Sequence, residues 1–142
     1  MLFRSQMLAR DTNNSMPAFV CKYVRKIIPD GKIAVLGVSY KGNTGDDRES
    51  PAYEIIAELE ENGYELSIHD PHIERDNFVS FAEAVDGAKL ILILCDHKEF
   101  KHPDYKLISE KMENPIIFDT KDIIHKVPDD VKLYNYGNLY TL

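Results

Sequence analysis

Lys41 and Arg48 stand in a polar, glycine-broken stretch, Ser39 to Glu49, that runs into Ser50-Pro51. Two fixed cations beside a helix start, whose free N–H groups and positive dipole end favour an anion, can hold a phosphate group. The residues also allow a solvated loop in which the same cations neutralise Asp46, Asp47 and Glu49. Cys95 and His97 have the parts of a nucleophile and its base. Cys95, however, follows the run Leu90-Ile91-Leu92-Ile93-Leu94, where a cysteine reads as a small core hydrophobe. His97 and His102 lack a third ligand at metal spacing, His69 and His72 flank Asp70-Pro71 as solvated strand-end side chains, and His125 offers nothing specific. The acidic trio reads as orienting Arg48 and capping loop N–H groups rather than as a magnesium site. No catalytic residue and no metal ligand is assigned.

These groups need a scaffold. Phe19, Val20, Tyr23, Val24, Ile27 and Ile28 recur at helical spacing, with Ser15 as N-cap and Pro17 in the first turn. Pro29-Asp30-Gly31 stops that helix, and Lys32 to Val38 follows as a strand apolar enough to be buried on both faces. Ser50-Pro51 opens a second helix whose Ala52, Ile55, Ile56 and Leu59 face inward, ended by Gly63. Tyr64 to His69 alternates as a second strand and stops at Asp70-Pro71. Ser80 caps a short helix ending near Gly87, Lys89 to Cys95 makes a central third strand, and a helix around Tyr105 to Lys111 leads to a fourth strand, Pro115 to Asp119. Val131 to Tyr134 is a short fifth. The alternation predicts an α/β, Rossmann-like three-layer sandwich with a mostly parallel sheet of about five strands and helices on both faces. In such a sheet ligands bind beyond the carboxyl ends of the strands, so the loops 38–50, 70–77, 95–102 and 119–126 are where chemistry belongs.

Composition bounds the class. At 142 residues the chain suits one domain with a full core. Hydrophobic residues at 44% exclude a disordered chain, and Leu90 to Cys95, the longest apolar run, is too short to span a bilayer. With 17 basic against 24 acidic residues the net charge is -7, which argues against nucleic acid as a partner and makes any phosphate recognition local. Cys21 and Cys95 form no CxxC, so neither a zinc knuckle nor a disulfide framework is indicated. The first ten residues are broken by Arg4 and Gln6 and carry no leader pattern, so a cytoplasmic protein without membrane association is expected. Gly37-Val38-Ser39-Tyr40-Lys41-Gly42 lacks GxGxxG spacing, so the pyrophosphate turn of a dinucleotide fold is missing.

The seventeen contiguous residues from Leu36 to Ala52, with Tyr40-Lys41, the polar turn Asn43-Thr44-Gly45-Asp46-Asp47, Arg48-Glu49 and Ser50-Pro51, closely resemble a signature of the UDP-glucose/GDP-mannose dehydrogenase family. It belongs to that family's C-terminal, UDP-binding domain. Agreement continues at Ile68-His69-Asp70-Pro71, at Phe118-Asp119-Thr120-Lys121 and at His97-Lys98-Glu99-Phe100, the last looking like members that act on UDP-N-acetylmannosamine. Asn14-Ser15-Met16-Pro17 looks like the end of the helix that joins the family's two nucleotide-binding domains.

The resemblance implies that residues 1–28 end a connecting helical region and that 29–142 form the UDP-sugar-binding α/β domain. Tyr40, Lys41 and Lys121 fall at substrate-binding positions and Arg48 on the cofactor side. Lys121 departs from the commoner arginine, and a lysine is a point charge without a bidentate fork. Full-length members oxidise a UDP-hexose or UDP-N-acetylhexosamine to the uronic acid by two hydride transfers to NAD, through a cysteine thioester. Neither the N-terminal NAD-binding domain, nor the central helical domain, nor the Gly-x-x-Cys-Phe-Pro-Lys-Asp stretch occurs here. The isolated chain is therefore expected to be inactive and to hold no tightly bound cofactor. Leu2, Phe3, Met7 and Leu8 leave an apolar stripe on which a homodimer is expected. The rival is a non-catalytic or signalling module like a receiver domain, with Asp96 after the third strand and Lys121 after the fourth. That reading needs an acidic pair directly after the first strand, where Ser39-Tyr40-Lys41 stands.

Overall fold

The computed structural model describes residues 17–39, 45 and 50–141. A helix over 17–27 (α1) is followed by β1 (Lys32–Leu36), α2 (Pro51–Glu61), β2 (Glu65–His69), α3 (Phe81–Val85), β3 (Leu90–Ile93), α4 (Tyr105–Lys111), β4 (Ile116–Asp119) and β5 (Lys132–Tyr134). The sheet runs β2-β1-β3-β4-β5 and every pairing is parallel. The chain thus forms the expected α/β Rossmann-like layers around five strands. Strand order reverses between β1 and β3, which opens a crevice at their carboxyl ends.

Side-chain alternation divides the core in two. Ile33, Val35, Leu90, Leu92 and Phe118 face α1 and α2, packing on Val20, Cys21, Val24, Ile55 and Leu59. Ala34, Leu36, Ile91, Ile93 and Ile117 face the other way, onto Ala84 and Val85 of α3 and Ile108 of α4. Burying both faces explains why these strands read as unbroken apolar runs. Each fully buried Leu or Ile contributes about 1.5–3 kcal/mol. Local chemistry sets the helix starts: Ser50 accepts from the Ala52 N–H at 3.2 Å ahead of Pro51, Ser80 caps α3 through the Glu83 N–H, and Asp104 caps α4 through the Leu107 N–H.

Several bounds differ from expectation, β3 ending at Ile93 instead of Cys95 among them, and two differences bear most on the packing and the site. The buried stripe is Val20, Cys21 and Val24 of α1 with Ile28 just past its end, whereas Phe19 is exposed, its ring packed on Tyr23 and on Tyr136 beyond β5. A helix on one sheet face buries only about a third of its circumference, so the wider set in the sequence overshoots it. And β1 ends at Leu36 instead of Val38. Gly37 takes φ +94°, and the next two N–H groups leave the ladder for a side chain.

Candidate functional site

That side chain is Asp70, at the carboxyl end of β2 and only 5% exposed. Its Oδ2 accepts from the N–H of Val38 at 2.8 Å, the N–H of Ser39 at 3.2 Å and the Ser39 hydroxyl at 3.1 Å. Its Oδ1 accepts from the His72 N–H at 2.8 Å. His97, fully buried after β3, brings Nε2 within 3.0–3.1 Å of both oxygens. One carboxylate therefore ties together the loops after β1, β2 and β3. Burial alone would push the Asp70 carboxyl up, but the Val38 and His72 N–H groups and His97 outweigh it and hold it below the ordinary carboxylate range.

Ser39, His97 and Asp70 are the three residue types of an acyl-transfer site, yet they are not arranged as one. Ser39 Oγ lies 3.0 Å from His97 Nε2, the same nitrogen that faces Asp70. A carboxylate only accepts, so that nitrogen carries the proton and cannot take another from Ser39. The cluster is structural: it holds Val38 and Ser39 after β1 against the β2 and β3 loops. Further along the chain Ser50 is buried and caps α2. Between the two, Gly45 approaches the β2 loop so closely that a Cβ there would meet the His72 carbonyl oxygen at 2.8 Å.

The loop after β4 has a carboxylate organiser of its own. Asp119, wholly buried, accepts from the Lys121 N–H at 3.0 Å and from the Ile123 and Ile124 N–H groups at 2.8 Å each. Thr120 Oγ1 donates to the Ile93 carbonyl at 2.6 Å, which pins the turn to β3. Burial, then the Asp119 charge, raises the phenols of Tyr105 and Tyr136. Lys121 is exposed on this turn, and the next residue, Asp122, lines an open depression of about 800 Å³ with Lys101, His102, His125 and Lys126 and the apolar Ile123, Val127 and Pro128. This gathers positive side chains at the carboxyl edge of an otherwise acidic chain.

Of the site residues read from the sequence, Lys121 is thus at the carboxyl edge, while Tyr40, Lys41 and Arg48, with Asp46, Asp47 and Glu49, lie outside the described residues. So do Leu2, Phe3, Met7 and Leu8. Cys95 is 2% exposed with its thiol pushed up to about 11, first by burial and then by Asp70 and Asp96, as suits a core hydrophobe and not a nucleophile. The strand-end histidines are not simply solvated. His69 is half-buried, donates from Nδ1 to the Val79 carbonyl at 2.9 Å and packs against Phe81 and Phe100. His72 stacks on His97 at 4.3 Å between ring centres and meets Glu99 at 3.1 Å. Spacing along the chain hides this, because 27 residues separate Asp70 from His97 and Glu99 from His72.

Among the described residues no helix is long and apolar enough to cross a membrane. Residues 34–126 match the UDP binding domain of the UDP-glucose/GDP-mannose dehydrogenase family. The chain is 42% identical over 127 residues to the UDP-N-acetyl-D-mannosamine dehydrogenase of Methanocaldococcus jannaschii, covering 83% of this chain and 29% of that protein. It is 31% identical over 132 residues to the UDP-glucose 6-dehydrogenase of Gallus gallus, covering 77% of this chain and 27% of that one. Among solved structures, the UDP-N-acetyl-mannosamine dehydrogenase Cap5O from Staphylococcus aureus superimposes with a TM-score of 0.87 at 41% identity, over 93% of this chain and 33% of Cap5O. The chain spans about a third or less of the length of these relatives. A receiver-like module is not favoured: the place after β1 that would need acidic residues holds Ser39, committed as a donor to Asp70.

Proposed function

Because the chain belongs to the UDP-glucose/GDP-mannose dehydrogenase family as its UDP-binding domain, we propose that it holds the UDP moiety of a nucleotide sugar at the carboxyl edge of the sheet. In this reading residues 29–142 are the binding domain and 1–28 the end of a connecting helical region. The observation that carries the reading is the Asp70 knot, which holds Val38 and Ser39 at the strand-order reversal. Tyr40 and Lys41 contact the nucleotide sugar there, and Lys121, on its Asp119-organised turn, adds charge to the diphosphate.

The whole enzyme oxidises C6 of a UDP-hexose or UDP-N-acetylhexosamine, with UDP-N-acetylmannosamine first among them because the more similar relatives carry that name. This chain supplies positioning, the remote binding energy that holds the reacting carbon in place. The redox step belongs to the parts of the relatives that this sequence does not span. The Val38 and Ser39 N–H groups after β1 are bonded to Asp70, so a diphosphate at this edge is held by side chains and not by the backbone cradle of a dinucleotide fold. NAD, which such a cradle would hold, is assigned to the rest of the enzyme, with Arg48 reaching its side of the cleft. Without that part the isolated chain forms no NADH.

Calorimetric titration with UDP tests the roles. Lys41→Ala is expected to weaken UDP binding by about 1.5–3 kcal/mol, the worth of a charge-assisted hydrogen bond, and Arg48→Ala by less. Equal losses for both, or none for Lys41→Ala, would reject the assignment.

A further inference from the structure

Beside the Asp70 knot, the loops after β2 and β3 bring one ligand atom each of His72, His97 and Glu99 within 4.8 Å of one another. We propose that these three side chains form a binding site for a divalent transition-metal ion of the zinc class. Two imidazoles and a carboxylate are a donor set that zinc, cobalt and nickel favour over magnesium or calcium. The His72 Nε2 to Glu99 carboxylate separation of 3.1 Å is already close to the edge of a tetrahedron built from bonds of about 2.0–2.1 Å. Closing all three donors onto one ion needs the His72 and Glu99 side chains to turn, and both are partly exposed and have room to do so.

An independent feature supports the site. Metal-binding histidines donate a ring N–H to an outer carboxylate, and Asp70 stands in that place for His97, accepting from Nε2, while its bond from the His72 backbone N–H holds the β2 loop alongside. Asp70 and Glu99 together carry two negative charges, which balance a divalent ion against neutral rings. Glu99, at 40% side-chain exposure, gives the ion a route from solvent and leaves a coordination position for water. A bound ion would replace the His72–Glu99 hydrogen bond and clamp the β2 loop to the β3 loop. The inference does not depend on the nucleotide.

The test titrates the full chain with Zn²⁺ by calorimetry, and with Co²⁺ while recording the visible absorption of tetrahedral cobalt. One equivalent is expected, with a raised melting temperature. His72→Ala and Glu99→Gln, both at surface-accessible positions, should each weaken binding at least about tenfold, a loss of about 1.4 kcal/mol. A His102→Gln/His125→Gln double variant should bind as the parent does. Circular dichroism establishes that each variant is folded. Absence of saturable binding, unchanged affinity in the His72 and Glu99 variants, or a loss that follows His102 and His125 instead, would overturn the proposal.

Discussion

Replacing Asp70 with alanine is expected to destabilise the fold by about 3–5 kcal/mol, because it removes a buried charged acceptor and leaves several donors without their partner. The N–H groups of Val38, Ser39 and His72 and the ring of His97 would all lose their bonds to it. In a chain of this size the melting temperature should fall by roughly 10 °C or more. The loss is also pH-dependent in a defined direction. The folded carboxyl titrates below its unfolded value of about 3.9, so its stabilisation is fully present above that pH and disappears as pH falls through the folded value. The parent and Asp70→Ala should therefore converge in stability in the acid range below about pH 4 and differ most at neutral pH. Chemical denaturation at a series of pH values reads this directly, and a pH-independent gap would mean that Asp70 acts by shape alone.

Gly37→Ala is the second large effect, expected at about 3 kcal/mol or more from two causes that can be separated. The φ of +94° strains any residue with a Cβ, and a Cβ there would lie 2.5 Å from Cys95 Cβ and 3.0 Å from Phe100 Cε2, inside the packed core. Gly63 has nearly the same φ, +92°, but open space around it. Gly63→Ala should cost only the backbone strain, about 1–2 kcal/mol. The difference between the two substitutions measures the clash at Gly37. Equal costs would show that the end of β1 can move away from Cys95.

Much of the fold was legible because its signals are local. Ser50 and Ser80 cap helices using N–H groups within three residues of themselves, and the apolar runs around Val35 and Leu92 could only be strands covered on both faces. Cys95 was recognisable as core from the run that precedes it. The knot around Asp70 was not legible in that way. An aspartate before a proline reads as a strand stop, and nothing near Asp70 or His97 in the chain says that they pair, since their contact depends on β1 lying between β2 and β3. The resemblance did single out both segments, though not their bond. Phe19 was misjudged for a related reason: helical spacing identifies an apolar side but not its width, which the facing sheet decides.

The central claim, that the carboxyl edge of this sheet receives UDP, is tested most directly by following backbone amide resonances of the ¹⁵N-labelled chain during a titration with UDP. Saturable shifts are predicted for Val38, Ser39 and His72 around the Asp70 knot and for Thr120, Lys121 and Asp122 after β4. Gly31, Gly63 and Gly87, which precede β1, β2 and β3 at the opposite edge, should stay where they are. No saturable shift at millimolar UDP, or shifts confined to those amino-edge glycines, would contradict the account.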